Sequence, residues 1–277
     1  MSKTNDIEEL TRIANELRID IIEMLHKSGS GHPGGSLSAI DILTALYFSR
    51  MSHSPGSTND SDHDIFILSK GHAAPAVYAA LAKSGYFDKS HLGTLRQIDS
   101  ILSGHPYSQS TPGIEVTTGS LGQGLSMANG IAIARKLDRR SSRVFCMMGD
   151  GEIQEGQIWE AAMTSAHYKL DNVVGILDNN GLQIDGFCHD IMSLEPIGDK
   201  WRAFGWEVIE INGHDMSQIL DSLDEALTIK YKPTLIWAHT VKGKGVSFME
   251  NVAKYHGTTP TDEELQRALL ELTASGN

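Results

Sequence analysis

The stretch Val144 to Asp185, VFCMMGDGEIQEGQIWEAAMTSAHYKLDNVVGILDNNGLQID, decides the fold. Apolar Val144 to Met148 reads as a buried strand, Gln154 to Leu170 as a crossover helix and Val173 to Leu177 as the next strand. Parallel strands joined by a right-handed crossover end at the same edge of a sheet, so Asp150 and Asn180 come to face each other there. That edge is where open α/β sheets bind ligands. Gly149 and Gly151 flank Asp150 and let a bulky anion approach the backbone, while the following helix offers unpaired N–H groups and the positive end of its dipole. Phosphate is the natural guest. Magnesium takes six oxygens and is usually held by one or two protein groups plus substrate phosphates, a division that Asp150 and Asn180 suit. A neutral amide as second ligand adds no repulsion to the charge of a diphosphate. The Asn-Gly-Leu turn can aim the Leu182 carbonyl inward as a third ligand.

Outward from this unit, strands and helices alternate. Residues 37 to 50 read as a helix entered from the glycine-rich GSGHPGGS loop, 64 to 69 as a strand, and Lys70-Gly71-His72 opens a helix through Lys83. A second glycine-rich turn, Gly119 to Gly124, leads into a helix from Leu125 to Leu137. Strand 207–211, helix 217–230, strand 234–240 and a loop with Lys242 and Lys244 follow. The expectation is an α/β fold: one doubly wound, mostly parallel sheet with helices on both faces, forming a single domain over residues 1–277.

Composition narrows the class further. A hydrophobic content of 40% and 27 glycines fit a soluble α/β protein with many tight turns. The net charge of −12, with no basic run, argues against nucleic acid as a partner. Cys146 and Cys188 are the only cysteines, so neither a disulfide framework nor a zinc site is suggested and a reducing cytoplasm fits. Asp6 to His26 carries Leu10, Ile13, Leu17, Ile21 and Leu25 at helical spacing among charges, which reads as an amphipathic helix rather than a leader or a membrane span.

Four of the 12 histidines fall in glycine-flanked turns: His32 in SGHPGG, His72 in SKGHAAP, His105 in SGHPY and His256 in KYHGTTP. Taken singly, each reads as a loop histidine with its hydrogen bonds satisfied; as a set beside an anion site they read as function.

Gly-Asp-Gly followed by 27 residues (152 to 178) and then Asn179-Asn180 resembles the thiamine diphosphate fingerprint. With SGSGHPGGSLS, ILSKGHAAPAVY, GHP, EVTTGSLGQGLSMANG, GDGEIQEGQIWEAA and DNNGLQIDG in this order, the chain resembles the N-terminal half of transketolases from about Leu10 to Gly257. The resemblance implies that Asp150, Asn180 and the Leu182 carbonyl hold Mg2+ (or Ca2+ or Mn2+), with His72, Gly149 and Gly151 near the diphosphate. It places Gly119 and Leu121 at the aminopyrimidine, Ile184 near the thiazolium, and His32, His105 and His256 along the substrate channel, where they and His72 serve catalysis. Glu155 matches a glutamate at a subunit interface that links two active sites; read from the residues alone it is a helix-start acid favoured by the dipole.

The sequence departs from that pattern at Gly35-Ser36, where Ala-Pro is common, and at Ser120, where proline is common. A larger departure is length, since full-length transketolases continue with a pyrimidine-binding domain and a C-terminal domain. That part carries the glutamate that protonates the aminopyrimidine and the arginines that grip sugar phosphate. The resemblance therefore implies the N-terminal subunit of a split transketolase. Its partner is a C-terminal subunit, its substrates are sugar phosphates, and two copies of each chain form a heterotetramer. Three other readings stand beside this one: the α-subunit of a 2-oxo acid dehydrogenase, a deoxyxylulose-phosphate synthase fragment, and a non-catalytic cofactor-binding subunit.

Overall fold

In a strand, successive side chains point to opposite faces, and β2 (Val144–Gly149) is apolar on both. Phe145 and Met147 enter one hydrophobic cluster, while Val144, Cys146 and Met148 enter another. A strand buried on two faces belongs inside a sheet sandwiched between layers of helices. The computed structural model, which describes residues 3–56 and 62–275, has that architecture.

In chain order the elements are α1 (Ile7–Ser28), α2 (Pro33–Ala45), β1 (Ile65–Leu68), α3 (Ala74–Lys83), α4 (Gly124–Leu137), β2, α5 (Gly156–His167) and β3 (Val173–Asn179). There follow α6 (Cys188–Ile191), α7 (Ile197–Ala203), β4 (Glu207–Asn212), α8 (Met216–Thr228), β5 (Thr234–His239) and α9 (Asp262–Ser275). Every strand pair is parallel and the order is β1-β2-β3-β5-β4. The chain steps from β1 to β3 with α4 and α5 on one face, passes over a position to β4, and returns to β5 through α8 on the other. Right-handed crossovers require this reversal of face when the direction of travel reverses. One cluster joins the sheet to α1, α2, α3, α8 and α9; the other joins it to α4, α5 and α7.

Local chemistry sets the element ends. Asp6 caps α1 by accepting from the Glu8 and Glu9 N–H groups, and Gly29 ends it in the left-handed conformation at φ 60°. Helix α2 begins at Pro33, not at residue 37, so Gly34 and Gly35 are helical rather than loop. A Cβ on Gly34 would lie 2.8 Å from Lys242 Cγ and 2.9 Å from the Tyr255 carbonyl oxygen, so tight packing, not flexibility, explains this glycine. The crossover helix also differs from expectation. Residues 151–154 form a 3-10 turn, and Glu155 is extended before α5 begins. Cys146 and Cys188 are free and buried, and among the described residues no helix is long and apolar enough to cross a membrane.

Beneath α1 and α2 lies a buried charge cluster. Arg18 Nη2 donates to Asp41 Oδ2 at 2.5 Å, and His214 Nδ1 contacts the same oxygen at 2.7 Å. Burial alone would raise the Asp41 carboxyl, but Arg18 and His214 outweigh it and hold it below the usual range. The Val241 N–H donates to His214 Nε2 at 2.8 Å, which leaves the His214 proton on Nδ1 and ties the loop after β5 to α2. Asp41→Ala would leave the Arg18 guanidinium buried without its anion, and is expected to lower stability by about 3–5 kcal/mol in urea unfolding. A loss below about 1 kcal/mol, the range of exposed pairs, would show that the pair is solvated.

Candidate functional site

The C-terminal ends of β2 and β3 are adjacent, with Gly149 paired to Asp178 in register. Asp150 is 2% exposed; its Oδ1 accepts from the Gly151 N–H at 2.7 Å and its Oδ2 from the Gly181 N–H at 2.5 Å. The second bond brings the Asn180-Gly181-Leu182 turn against Asp150. In that turn Asn180 Oδ1 accepts from the Leu182 N–H at 3.2 Å, and the Leu182 carbonyl accepts from Lys242 Nζ at 2.9 Å. The three candidate metal ligands are thus brought together. Gly149 lies beside them, but its N–H is committed to Glu152 Oε2 at 3.0 Å. Because α5 starts only at Gly156, the helix-dipole argument does not apply at Asp150.

Charge at this edge is balanced by two lysines. Lys70 Nζ pairs with Asp178 and donates to the Gly35 carbonyl at 2.8 Å, with both side chains essentially inaccessible. Asp178 also accepts from Ser38 Oγ and from Thr240 Oγ1. Although burial opposes ionisation of Asp178, Lys70 and these donors hold its carboxyl below the usual range. Burial, then the neighbouring charge of Asp178, pushes Asp150 up to about 6. Lys242 is drawn down to about 8 by burial, against the pull of Asp150.

Three of the sequence-selected histidines meet. His32, His72 and His256 form a triangle with ring centroids 5.3, 5.5 and 5.3 Å apart. Burial is the main reason all three titrate low: His32 and His256 fall to about 4 and His72 well below 6.5, with nearby lysines and one another adding repulsion. Neutral imidazoles result at pH 7. Lys242 Nζ stands 2.9 Å from His256 Nδ1, and an ammonium only donates, so the His256 proton sits on Nε2. The buried Nδ1 of His32 has no hydrogen-bond partner among the described residues, which marks an acceptor or donor left for a ligand. His105 is exposed and packs on Gly119, where an added Cβ would lie 3.2 Å from His105 Cγ. Its charge and that of Arg96 contribute to lowering His32.

Gly119 itself sits against the next turn. A Cβ on Gly71 would lie 2.9 Å from the Gly119 N, so the turn before α3 and the turn before α4 touch backbone to backbone. Leu121 is 36% and Ile184 68% exposed, on the rim rather than inside, and Phe187, Ile191 and Met192 extend the apolar rim. Glu155 is exposed at the N-cap of α5, the helix start where the dipole favours an acid, and makes no cap hydrogen bond there. Sequence reasoning does not mark Lys70, Asp178, Glu152 or Arg96. The signals for the first three are a lysine two residues before a motif histidine, an aspartate closing an apolar strand and a glutamate following Gly-Asp-Gly.

A magnesium diphosphate fits these residues on donor chemistry. One carboxylate, one amide oxygen and one carbonyl oxygen are hard ligands suited to Mg2+, and the Lys242 and Lys70 ammonium groups offer charge to phosphate oxygens.

Known proteins share this sequence pattern and fold. Residues 10–273 match the family described as "Transketolase, thiamine diphosphate binding domain". One of the subunits of an apulose-4-phosphate transketolase from Phocaeicola vulgatus is 44% identical over 96% of this chain and 95% of its own length. A subunit of a 6-deoxy-6-sulfo-D-fructose transketolase from a Clostridium species is 43% identical over 97% of this chain and 98% of its own. Among solved structures, transketolase from Campylobacter jejuni superposes with a TM-score of 0.92 at 35% identity, covering 97% of this chain. The chain spans 43% of that enzyme's length. The chain belongs to the transketolase thiamine diphosphate-binding family, and with it to the thiamine diphosphate-dependent transferases.

The histidine environment gives a pH signature. A histidine whose folded pKa lies near 4 and whose unfolded value lies near 6.5 contributes stability that is fully present above pH ~6.5 and is lost as pH falls toward ~4. Thermal melts across that window should show an acid limb that is shallower in a His32→Asn, His256→Asn double variant than in the wild-type chain. Identical limbs would mean that the two rings are not held neutral by burial.

Proposed function

We propose that this chain is the diphosphate-binding subunit of a heteromeric transketolase, one that transfers a two-carbon ketol unit from a ketose phosphate to an aldose or aldose phosphate. The observation that carries the reading is the meeting of Asp150, Asn180 and the Leu182 carbonyl beside a triangle of neutral histidines. Asp150, Asn180 and Leu182 would hold Mg2+, with Ca2+ or Mn2+ as substitutes of the same coordination chemistry, and Lys70, Lys242 and His72 would face the diphosphate. When bound, thiamine diphosphate supplies the electron sink for the carbanion left as the ketose C2–C3 bond breaks. The chain's own part is to hold and move protons. His256, with its proton on Nε2, can donate to a sugar hydroxyl, and His32 can exchange a proton through its unpartnered Nδ1. His105 on the outer side would meet the substrate first.

A partner is supported by the relatives called subunits, which are nearly coextensive with this chain. It would be a C-terminal transketolase subunit carrying the pyrimidine-binding domain, and would cover Leu121, Glu155, Ile184 and the apolar rim beside them. On that reading residues 1–277 are one diphosphate-binding domain, and closed two-fold symmetry favours two copies of each chain, working in the cytoplasm. The candidate donors are pentose-phosphate sugars such as xylulose 5-phosphate or a branched ketose phosphate, and the names of relatives add apulose 4-phosphate and 6-deoxy-6-sulfo-D-fructose. Acyl transfer to a lipoyl domain would leave the four histidines without a task, which disfavours a 2-oxo acid dehydrogenase. A non-catalytic subunit would have no use for them either.

Asp150→Ala is expected to weaken magnesium-dependent binding of thiamine diphosphate by at least about 100-fold in titration calorimetry of the assembled complex, because the only charged metal ligand is lost. Unchanged affinity would remove Asp150 from the metal site. Ketol transfer from ketose phosphates should appear only when the chain is mixed with its partner; turnover by the isolated chain would refute the two-subunit reading.

A further inference from the structure

Glu152 is 2% exposed, and no role in the chemistry falls to it. Its Oε2 accepts from the Gly149 N–H at 3.0 Å, on the turn that carries Asp150. Its Oε1 accepts from the Gly122 N–H at 2.9 Å, on the turn that carries Gly119 and Leu121, and also from Ser69 Oγ. Ser69 Oγ in turn accepts from the Gly124 N–H at 3.1 Å, and a Cβ on Gly124 would lie 2.3 Å from that oxygen. One carboxylate and one hydroxyl therefore fix three segments to one another: the end of β1, the turn before α4 and the turn after β2. We infer that Glu152 is the positioning residue that sets the separation between the two turns gripping opposite ends of the cofactor. This rests on the reading in which the 149–151 turn meets the diphosphate and the 119–121 turn meets the aminopyrimidine.

The chemistry favours glutamate here for a definite reason. Three donors converge on one side chain, and only a carboxylate has acceptor positions on both terminal atoms. Glutamine of the same shape turns one of those atoms into a donor facing an N–H or O–H. One of the two turns then loses its anchor while the volume of the core is unchanged. Ser69→Ala is the milder cut, because it releases the Gly124 N–H and one of the three donors to Glu152 but leaves Glu152 on both turns.

The test compares two ligands on the assembled complex by titration calorimetry with magnesium present. Thiamine diphosphate spans both turns, whereas inorganic pyrophosphate reaches only the 149–151 turn. A positioning role predicts that Glu152→Gln weakens thiamine diphosphate by at least about tenfold and pyrophosphate by less than about threefold, with Ser69→Ala shifted in the same sense by a smaller factor. Equal losses for the two ligands would reduce Glu152 to a general structural role, and no loss for either would remove it from cofactor binding. If Glu152→Gln does not fold, Ser69→Ala decides by the ratio of its two losses: a larger loss for thiamine diphosphate than for pyrophosphate supports the positioning role, and equal losses overturn it. Failure of the wild-type complex to bind thiamine diphosphate at all would overturn the functional reading, which is distinct from equal losses in the variant.

Discussion

The buried contact between Lys70 and Asp178 is the constraint on which the site depends. Taking two charges out of water costs several kcal/mol per ion, and only close pairing with further hydrogen bonds offsets it. Asp178 obtains them from Ser38 and Thr240, and Lys70 from the Gly35 carbonyl. These partners lie on α2, on β3 and in the segments after β1 and β5. Satisfying one ion pair therefore forces four parts of the chain to converge at one edge of the sheet. Asn180, His32 and His72 adjoin segments fixed by that requirement, and Asp150 is tied to them through the Gly181 N–H.

The same balance of charge explains why the histidines stay neutral. Lys70 and Lys242 bring positive charge close to the triangle of His32, His72 and His256, while the anions Asp150 and Asp178 are matched to those lysines. A further proton on any of the three rings would be both desolvated and repelled. The site thus separates its charges: lysines and carboxylates are set against one another, and the three imidazoles are left uncharged.

Much of this is legible in the sequence. The strands around Asp150 and Asn180 can be read because burial on both faces leaves an unbroken apolar run, and a crossover of one helix fixes which ends meet. The four loop histidines stand out through their glycine neighbours, and three of them do share a site. What cannot be read depends on tertiary packing. Lys70 and Asp178 are 108 residues apart, and Ser69 and Glu152 are 83 apart, so neither pairing leaves a local pattern. The start of α2 is hidden because a Gly-Gly pair reads as a loop when its neighbours are unknown; here those glycines make room for Lys242 and Tyr255. The 3-10 turn after Asp150 is hidden for a similar reason, since Glu152 leaves the helical path to reach Gly122 and Gly149.

The contact of Gly71 with Gly119 has a bearing on how such a site diversifies. Where two turns meet through bare backbone, any side chain larger than hydrogen pushes them apart, so this part of the wall offers nothing that substitution can tune. Variation is channelled outward, to exposed positions away from this contact, whose side chains can change without moving the floor beneath them. A fold organised in this way keeps one cofactor geometry fixed while leaving its sugar preference free to drift.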